Sequence, residues 1–150
     1  MAHTYTQLLY HLVFATHERH PWLTKDIRGR VHEYLAGAIR SEGGHAILVG
    51  GVDDHVHILA RLRQDKALSD VIRDIKANSS GWIHKTFPSV KEFAWQRGYG
   101  AFTVSASQQD RVRDYIANQE VHHRVRSFRD ELVEFLKAHG VEYDERYLLD

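Results

Sequence analysis

The chain contains no cysteine, so disulfides and thiolate metal centres are excluded. Any bound metal must be held by nitrogen and oxygen, and the composition fits a reducing, bacterial-type cytoplasm. No apolar run approaches the roughly 18 residues that a membrane-crossing helix needs, so no membrane partner is expected. The opening residues, Met1-Ala-His-Thr-Tyr-Thr, lack a basic stretch leading into an apolar one, and no secretory signal is expected. Proline is scarce, at two residues, and there is no repeat or low-complexity linker. The 150 residues therefore read as one domain, 1–150, large enough for a real core.

Net charge is also missing: 20 basic residues face 20 acidic ones. That balance argues against a nucleic-acid binder, which is usually basic. The distribution is polarised, however. From Arg61 to Gly100 eight basic residues face four acidic ones, and from Ser127 to Asp150 three face seven. Charge alone reads as solvated helix faces.

What the chain does have is a pattern of alternating elements. Thr4 to Thr16 is rich in Tyr, Leu, Val and Phe and predicts a long first strand. Thr24 is placed to start a helix with Ile27, Val31, Tyr34, Leu35, Ala38 and Ile39 on one stripe, ended by Gly43-Gly44. His45 to Val49 and His55 to Leu62 predict a hairpin turning through residues 50–54. A helix is expected from about Ser69 to Lys85, with Pro88 beyond it. Phe93 to Trp95 and Ala101 to Val104 read as short strands, followed by helices from about Gln108 to His123 and Ser127 to His139. Strand–helix–strand–strand–helix–strand is the order of an α+β, ferredoxin-like fold, an antiparallel sheet with helices on one face. The first and third strands would lie side by side at its centre.

On the third strand Val56, Ile58, Ala60 and Leu62 would face those helices. His55, His57 and Arg61 would face the open side, within reach of a ligand. Tyr115 and Gln119, four apart on a predicted helix, would share a face. Each feature has a plainer reading. A lone His-x-His pair is more often a hydrogen-bonded pair of histidines, Tyr115 a packed aromatic, and His122-His123 a helix-end dyad. Trp95 and Phe102 read as core. Taken together, two imidazoles, a carboxamide and a phenol suit the breaking of a phosphodiester. The metal would polarise phosphate and Tyr115 would attack phosphorus, leaving a 5′-phosphotyrosine and a free 3′-hydroxyl that a later attack can reverse. Asp54 and His122 are candidates to orient the site from behind. Arg73, Lys76, Arg97 and Tyr99 are candidate DNA contacts. Two rivals stand beside this reading: a non-catalytic nucleic-acid-binding module and a metal-dependent nuclease using water.

Three segments carry a resemblance in order and spacing: Asp54-His55-Val56-His57-Ile58, Trp95-Gln-Arg-Gly-Tyr-Gly-Ala-Phe102 and Tyr115-Ile-Ala-Asn-Gln119. Together they resemble the signature blocks of the single-tyrosine HUH transposases of bacterial insertion sequences, the TnpA type acting on single-stranded DNA. The resemblance spans essentially the whole chain. It implies a ferredoxin-like core, Mg²⁺ or Mn²⁺ on His55, His57 and Gln119, and Tyr115 as nucleophile. It also implies single-stranded DNA with hairpins near element ends, and a homodimer whose tyrosine helix completes the partner's site in trans.

Overall fold

Alternation along the first strand decides the architecture. Tyr10, Leu12 and Phe14 leave one face, while Leu9, His11, Val13 and Ala15 leave the other, so both faces demand cover. The computed structural model describes residues 3–124 and 126–148. Its strands are Leu9–Ala15 (β1), His45–Gly51 (β2), His55–Arg61 (β3) and Gly100–Thr103 (β4). The helices are Lys25–Ser41 (α1), Leu68–Thr86 (α2), Gln109–Ala117 (α3), Gln119–His122 (α4) and Phe128–Ala138 (α5). The sheet order is β2-β3-β1-β4, antiparallel throughout, which is the ferredoxin-like arrangement with β1 and β3 central.

Helices α1 and α2 cover one face. Val31, Leu35 and Ile39 from α1 and Ile72, Ile75 and Ile83 from α2 close over Leu12, Phe14, Val56, Ile58 and Ala60. Each fully buried aliphatic contributes roughly 1.5–3 kcal/mol. Gly43, at φ +81°, ends α1 in the left-handed conformation that glycine adopts without a Cβ penalty.

The second face is not open, as the sequence had suggested. Phe128, Leu132 and Leu136 recur every fourth residue on α5 and bury against Val13, Ala15 and Phe102. Ile116 of α3 does the same against Leu9 and Leu59. An apolar stripe on a C-terminal helix found the one apolar surface still uncovered. Gly50 makes the approach of α3 feasible, because a Cβ there would stand 2.7 Å from the Ile116 carbonyl oxygen. Gly50→Ala is accordingly expected to cost about 1–3 kcal/mol as α3 is pushed off the sheet. A thermal midpoint unchanged from the parent would contradict this packing.

Three local expectations are corrected. Strand β1 begins at Leu9 and not Thr4, because β3 offers partners only from Ala15 back to Leu9. Phe93 to Trp95 forms no strand, only a bridge between Thr16 and Trp95. Its aromatics pack instead: Trp95 meets Phe14 and Phe93 edge-on at 4.8 Å each, and its indole N–H donates to Ser79 Oγ at 2.9 Å. The helix expected from Gln108 to His123 breaks at Asn118, whose side-chain amide donates to the Asp114 carbonyl at 2.7 Å. That competing bond ends α3, and α4 restarts at Gln119.

Candidate active site

Strand β3 aims His55 and His57 at the underside of α5, where both are fully buried. The imidazoles are thus covered by protein, not displayed on an open sheet. Glu131 of α5 meets them. Its Oε1 accepts from His57 Nε2 at 2.8 Å and lies 3.3 Å from His55 Nε2. Its Oε2 accepts from Gln119 Nε2 at 3.2 Å and from the Tyr115 hydroxyl. His55 also reaches Gln119 Oε1 at 3.0 Å, and its Nδ1 donates to Asp54 Oδ1 at 2.7 Å. His122 stacks on Tyr115 with ring centroids 4.4 Å apart. Tyr115, His55, His57 and Gln119 therefore converge within one chain, despite the break at Asn118. The tyrosine helix lies in cis over its own histidine pair.

Electrostatics sort the protons. Burial disfavours charge on His55, but the carboxylates of Asp54 and Glu131 outweigh it and raise the imidazole to about 9. On His57 burial prevails over the pull of Glu131, and the neighbouring His55 adds to it, lowering the ring to about 4. Burial would raise Glu131, yet the imidazoles of His123, His55 and His57 gathered around it hold it far below the usual carboxylate range. Burial and the Glu131 anion push the Tyr115 phenol upward, with Arg126 opposing. The Arg126 guanidinium donates to the Tyr115 oxygen at 3.0 Å.

His11 completes the back of the site. Its Nε2 is 2.7 Å from His57 Nδ1, and burial, then His57, drive its pKa well below the ordinary value. Because Glu131 can only accept, His57 Nε2 carries the proton and Nδ1 accepts from His11. For His57 Nε2 to bind a cation, that proton must move to Nδ1, with His11 Nε2 then accepting.

His55, His57, His123 and Glu131 form a group that can hold a metal ion, with ligand atoms within 4.8 Å of one another. The donor chemistry fits: three imidazole nitrogens converge on one carboxylate oxygen, with a carboxamide oxygen alongside, a set compatible with Mn²⁺ and tolerable for Mg²⁺. His123 Nε2 lies 3.1 Å from Glu131 Oε1 but off the hydrogen-bonding direction, and is buried without a hydrogen-bond partner among the described residues. A buried nitrogen left without a hydrogen bond is available as a ligand atom.

Arg73, Lys76, Arg97 and Tyr99 are gathered elsewhere. They line a cavity of about 450 Å³ between α2 and the segment before β4, on the far side of the sheet from Tyr115. Lys76 donates to the carbonyls of Gln96, Arg97 and Gly98, and burial lowers it to about 8. Arg73 pairs with Asp70 and Asp74. Trp95 and Phe102 are core residues. Sequence reasoning missed Glu131, His11 and Arg126 and set His123 aside. His11 was legible through strand parity, since it shares a face with Val13, which pairs with His57. His123 lies four residues beyond Gln119. Nothing local marks Glu131.

A ferredoxin-like sheet whose central strand carries paired histidines, faced by a tyrosine-bearing helix, defines a tyrosine transposase. Residues 4–119 match the family model of IS200-like transposases, and the chain belongs to that family. It is 26% identical over 118 residues to the ISDra2 transposase TnpA of Deinococcus radiodurans, covering 75% of this chain and 84% of that one. It is 27% identical over 125 residues to the transposase for insertion sequence element IS200 of Salmonella typhimurium, covering 79% and 81%. A crystal structure of a Deinococcus radiodurans chain described as a transposase aligns with TM-score 0.65 at 25% identity, over 79% of this chain and 96% of that one. The fold is shared with a REP-associated tyrosine transposase bound to a REP hairpin, at TM-score 0.60 and 17% identity, over 82% and 73%. Among the described residues no helix is long and apolar enough to cross a membrane.

Proposed function

We propose that this transposase cuts and joins single-stranded DNA through a covalent 5′-phosphotyrosine on Tyr115, acting as a single domain in a bacterial cytoplasm. One observation carries the reading: the Tyr115 hydroxyl and His57 Nε2 are bonded to the same buried carboxylate, Glu131. Nucleophile and histidine pair thus share one partner.

His55, His57 and Gln119 would hold the metal, with His123 and Glu131 within reach of the same point. A Mg²⁺ or Mn²⁺ ion bound there would supply Lewis-acid polarisation of the phosphodiester. Asp54 fixes the His55 ring through Nδ1. Glu131 Oε2 and the Arg126 guanidinium hold the Tyr115 oxygen in place, and its proton passes through solvent to the departing 3′ oxygen as the phenol oxygen attacks phosphorus. The Tyr115 O–P bond forms, the P–O3′ bond breaks, and the 3′ oxygen leaves and takes up a proton. Another 3′-hydroxyl reverses the step, releasing Tyr115 and joining a new pair of ends without ATP. His122, stacked on the phenol, keeps the ring aligned.

One nucleophile per site means that two cleavages take two copies, which is the mechanistic reason for a homodimer. Each copy would bring its tyrosine in cis, so the dimer need not exchange helices. The cavity bearing Arg73, Lys76, Arg97 and Tyr99 is assigned to DNA outside the cleavage site, such as a hairpin stem recognised by shape.

The test uses labelled single-stranded DNA and Mn²⁺, resolved on denaturing gels. The parent is expected to form a protein–DNA adduct, and Tyr115→Phe to form none while keeping its fold. An adduct that survives Tyr115→Phe overturns the reading. Fragments released without any adduct would indicate hydrolysis by water instead.

A further inference from the structure

The metal-binding nitrogens are buried, but Tyr115 is only half-buried, and its open side faces a trench. This cavity, of about 400 Å³, runs between α3 and α5 over the β1/β4 edge, and Tyr115 stands in its wall. The size is within the range of roughly 300–1,000 Å³ typical of small-ligand sites. Its composition points to one kind of occupant. Phe102 forms the floor, with Phe135 stacked at 5.7 Å and His139 at 4.5 Å between ring centroids. Phe135 also meets Tyr115 edge-on at 5.5 Å, so the aromatic wall is continuous with the nucleophile.

The rim is polar. Arg111 and Gln108 line it, both are exposed, and neither side chain has an ion-pair or hydrogen-bond partner among the described residues. Most other arginines nearby are committed: Arg126 to Glu134 and Tyr115, Arg61 to Gln7 and Gln109. A planar aromatic slot with an unspent guanidinium and amide at its mouth is the chemistry that grips an unstacked nucleotide. The base stacks, the arginine meets a phosphate, and the amide can hydrogen-bond a base edge. The cavity around Lys76 lacks this property, since its lysine is consumed by three carbonyls.

We propose that this trench seats one unpaired nucleobase of single-stranded DNA, next to the phosphate that Tyr115 attacks. The strand reaches the tyrosine along the trench, so α5 can stay in place. Arg111 holds a flanking phosphate and Gln108 contributes to the choice of base. The proposal rests on the reading of Tyr115 as a DNA nucleophile, and its test separates the two.

Binding is measured by fluorescence anisotropy with Tyr115→Phe protein in EDTA, so that no cleavage contributes. Two probes of equal length are compared: a labelled random-sequence single strand and a fully abasic strand. The based strand is expected to bind more tightly. His139→Ala, at an exposed position, and Phe135→Leu, which keeps the apolar packing, should each shrink that preference on the order of tenfold. Arg111→Ala should weaken both probes and lower the slope of log affinity against log salt by about 0.7. Random strands carrying 5-iodouracil should cross-link to Phe102, Phe135 or His139. An unchanged base preference in His139→Ala and Phe135→Leu, or cross-links confined to Trp95 and Tyr99, overturns the subsite. Equal binding of both probes by the unsubstituted trench also overturns it and leaves the cleavage reading standing. Failure to bind either probe sinks both.

Discussion

Glu131→Ala is expected to lower folding stability by about 3–5 kcal/mol, the usual consequence of deleting one partner from a buried charged cluster. The carboxylate accepts from His57, Gln119 and Tyr115 and offsets the charge on His55. Without it, buried His57 and Gln119 and half-buried Tyr115 lose their acceptor, and among the described residues the carboxylate left beside the His55 imidazolium is that of Asp54. For a chain of this length the thermal midpoint should fall by about 10 °C. A fall of a degree or two would mean that the cluster does not form in solution. The same variant tests the cation reading by a property other than activity. His55, His57, His123 and Gln119 still converge when Glu131 is shortened, so Mn²⁺ should raise the variant's midpoint by mass action. The rise should be smaller than that of the parent, which keeps the carboxylate oxygen as a further ligand. No Mn²⁺ response in either protein would remove the metal from the site.

Why Glu131 escaped sequence reasoning is a matter of distance along the chain. It lies 74 residues from His57, and only the docking of α5 brings the two together. That docking was itself unread. The stripe of Phe128, Leu132 and Leu136 was visible as a helix, but its counterpart on β1 and β4 emerges only once strand parity is assigned. By contrast, the central β1–β3 pair was legible, because alternating apolar residues declare two faces and a hairpin after Gly50-Gly51 fixes the direction of β3. The two local pairs, His55 with His57 and Tyr115 with Gln119, were legible from spacing; their meeting was implied only by the family resemblance. The break at Asn118 was not legible, since no proline or glycine marks it. Phe93 and Trp95 were misread as strand because aromatics favour strands and buried irregular segments alike. Residue type announced the chemistry; which buried acid balances it depended on long-range packing.

Folding stability is expected to peak near pH 6.5, the unperturbed imidazole value, and to fall on both sides. On the alkaline side His55 governs. Its folded pKa of about 9 lies above that of the unfolded chain, so its contribution is complete below 6.5 and disappears as pH rises through 9. That interval is worth roughly 3 kcal/mol. On the acid side His57 governs, because its folded pKa of about 4 lies below the unfolded value. Its contribution is present above 6.5 and is lost as pH falls towards 4, again by roughly 3 kcal/mol, since the unfolded chain takes up a proton that the buried ring refuses. His11 and His32, both lowered chiefly by burial, steepen this limb. Glu131 steepens it further only below the ordinary carboxylate range, where the unfolded chain begins to protonate. Thermal midpoints measured from about pH 4 to about pH 10 test the shape. His55→Gln should flatten the alkaline limb and leave the acid one, while His57→Gln should do the reverse. A parent midpoint that stays level between about pH 5 and about pH 9 would show that these imidazoles titrate as they do in water, and the buried constellation around Glu131 would fall with that result.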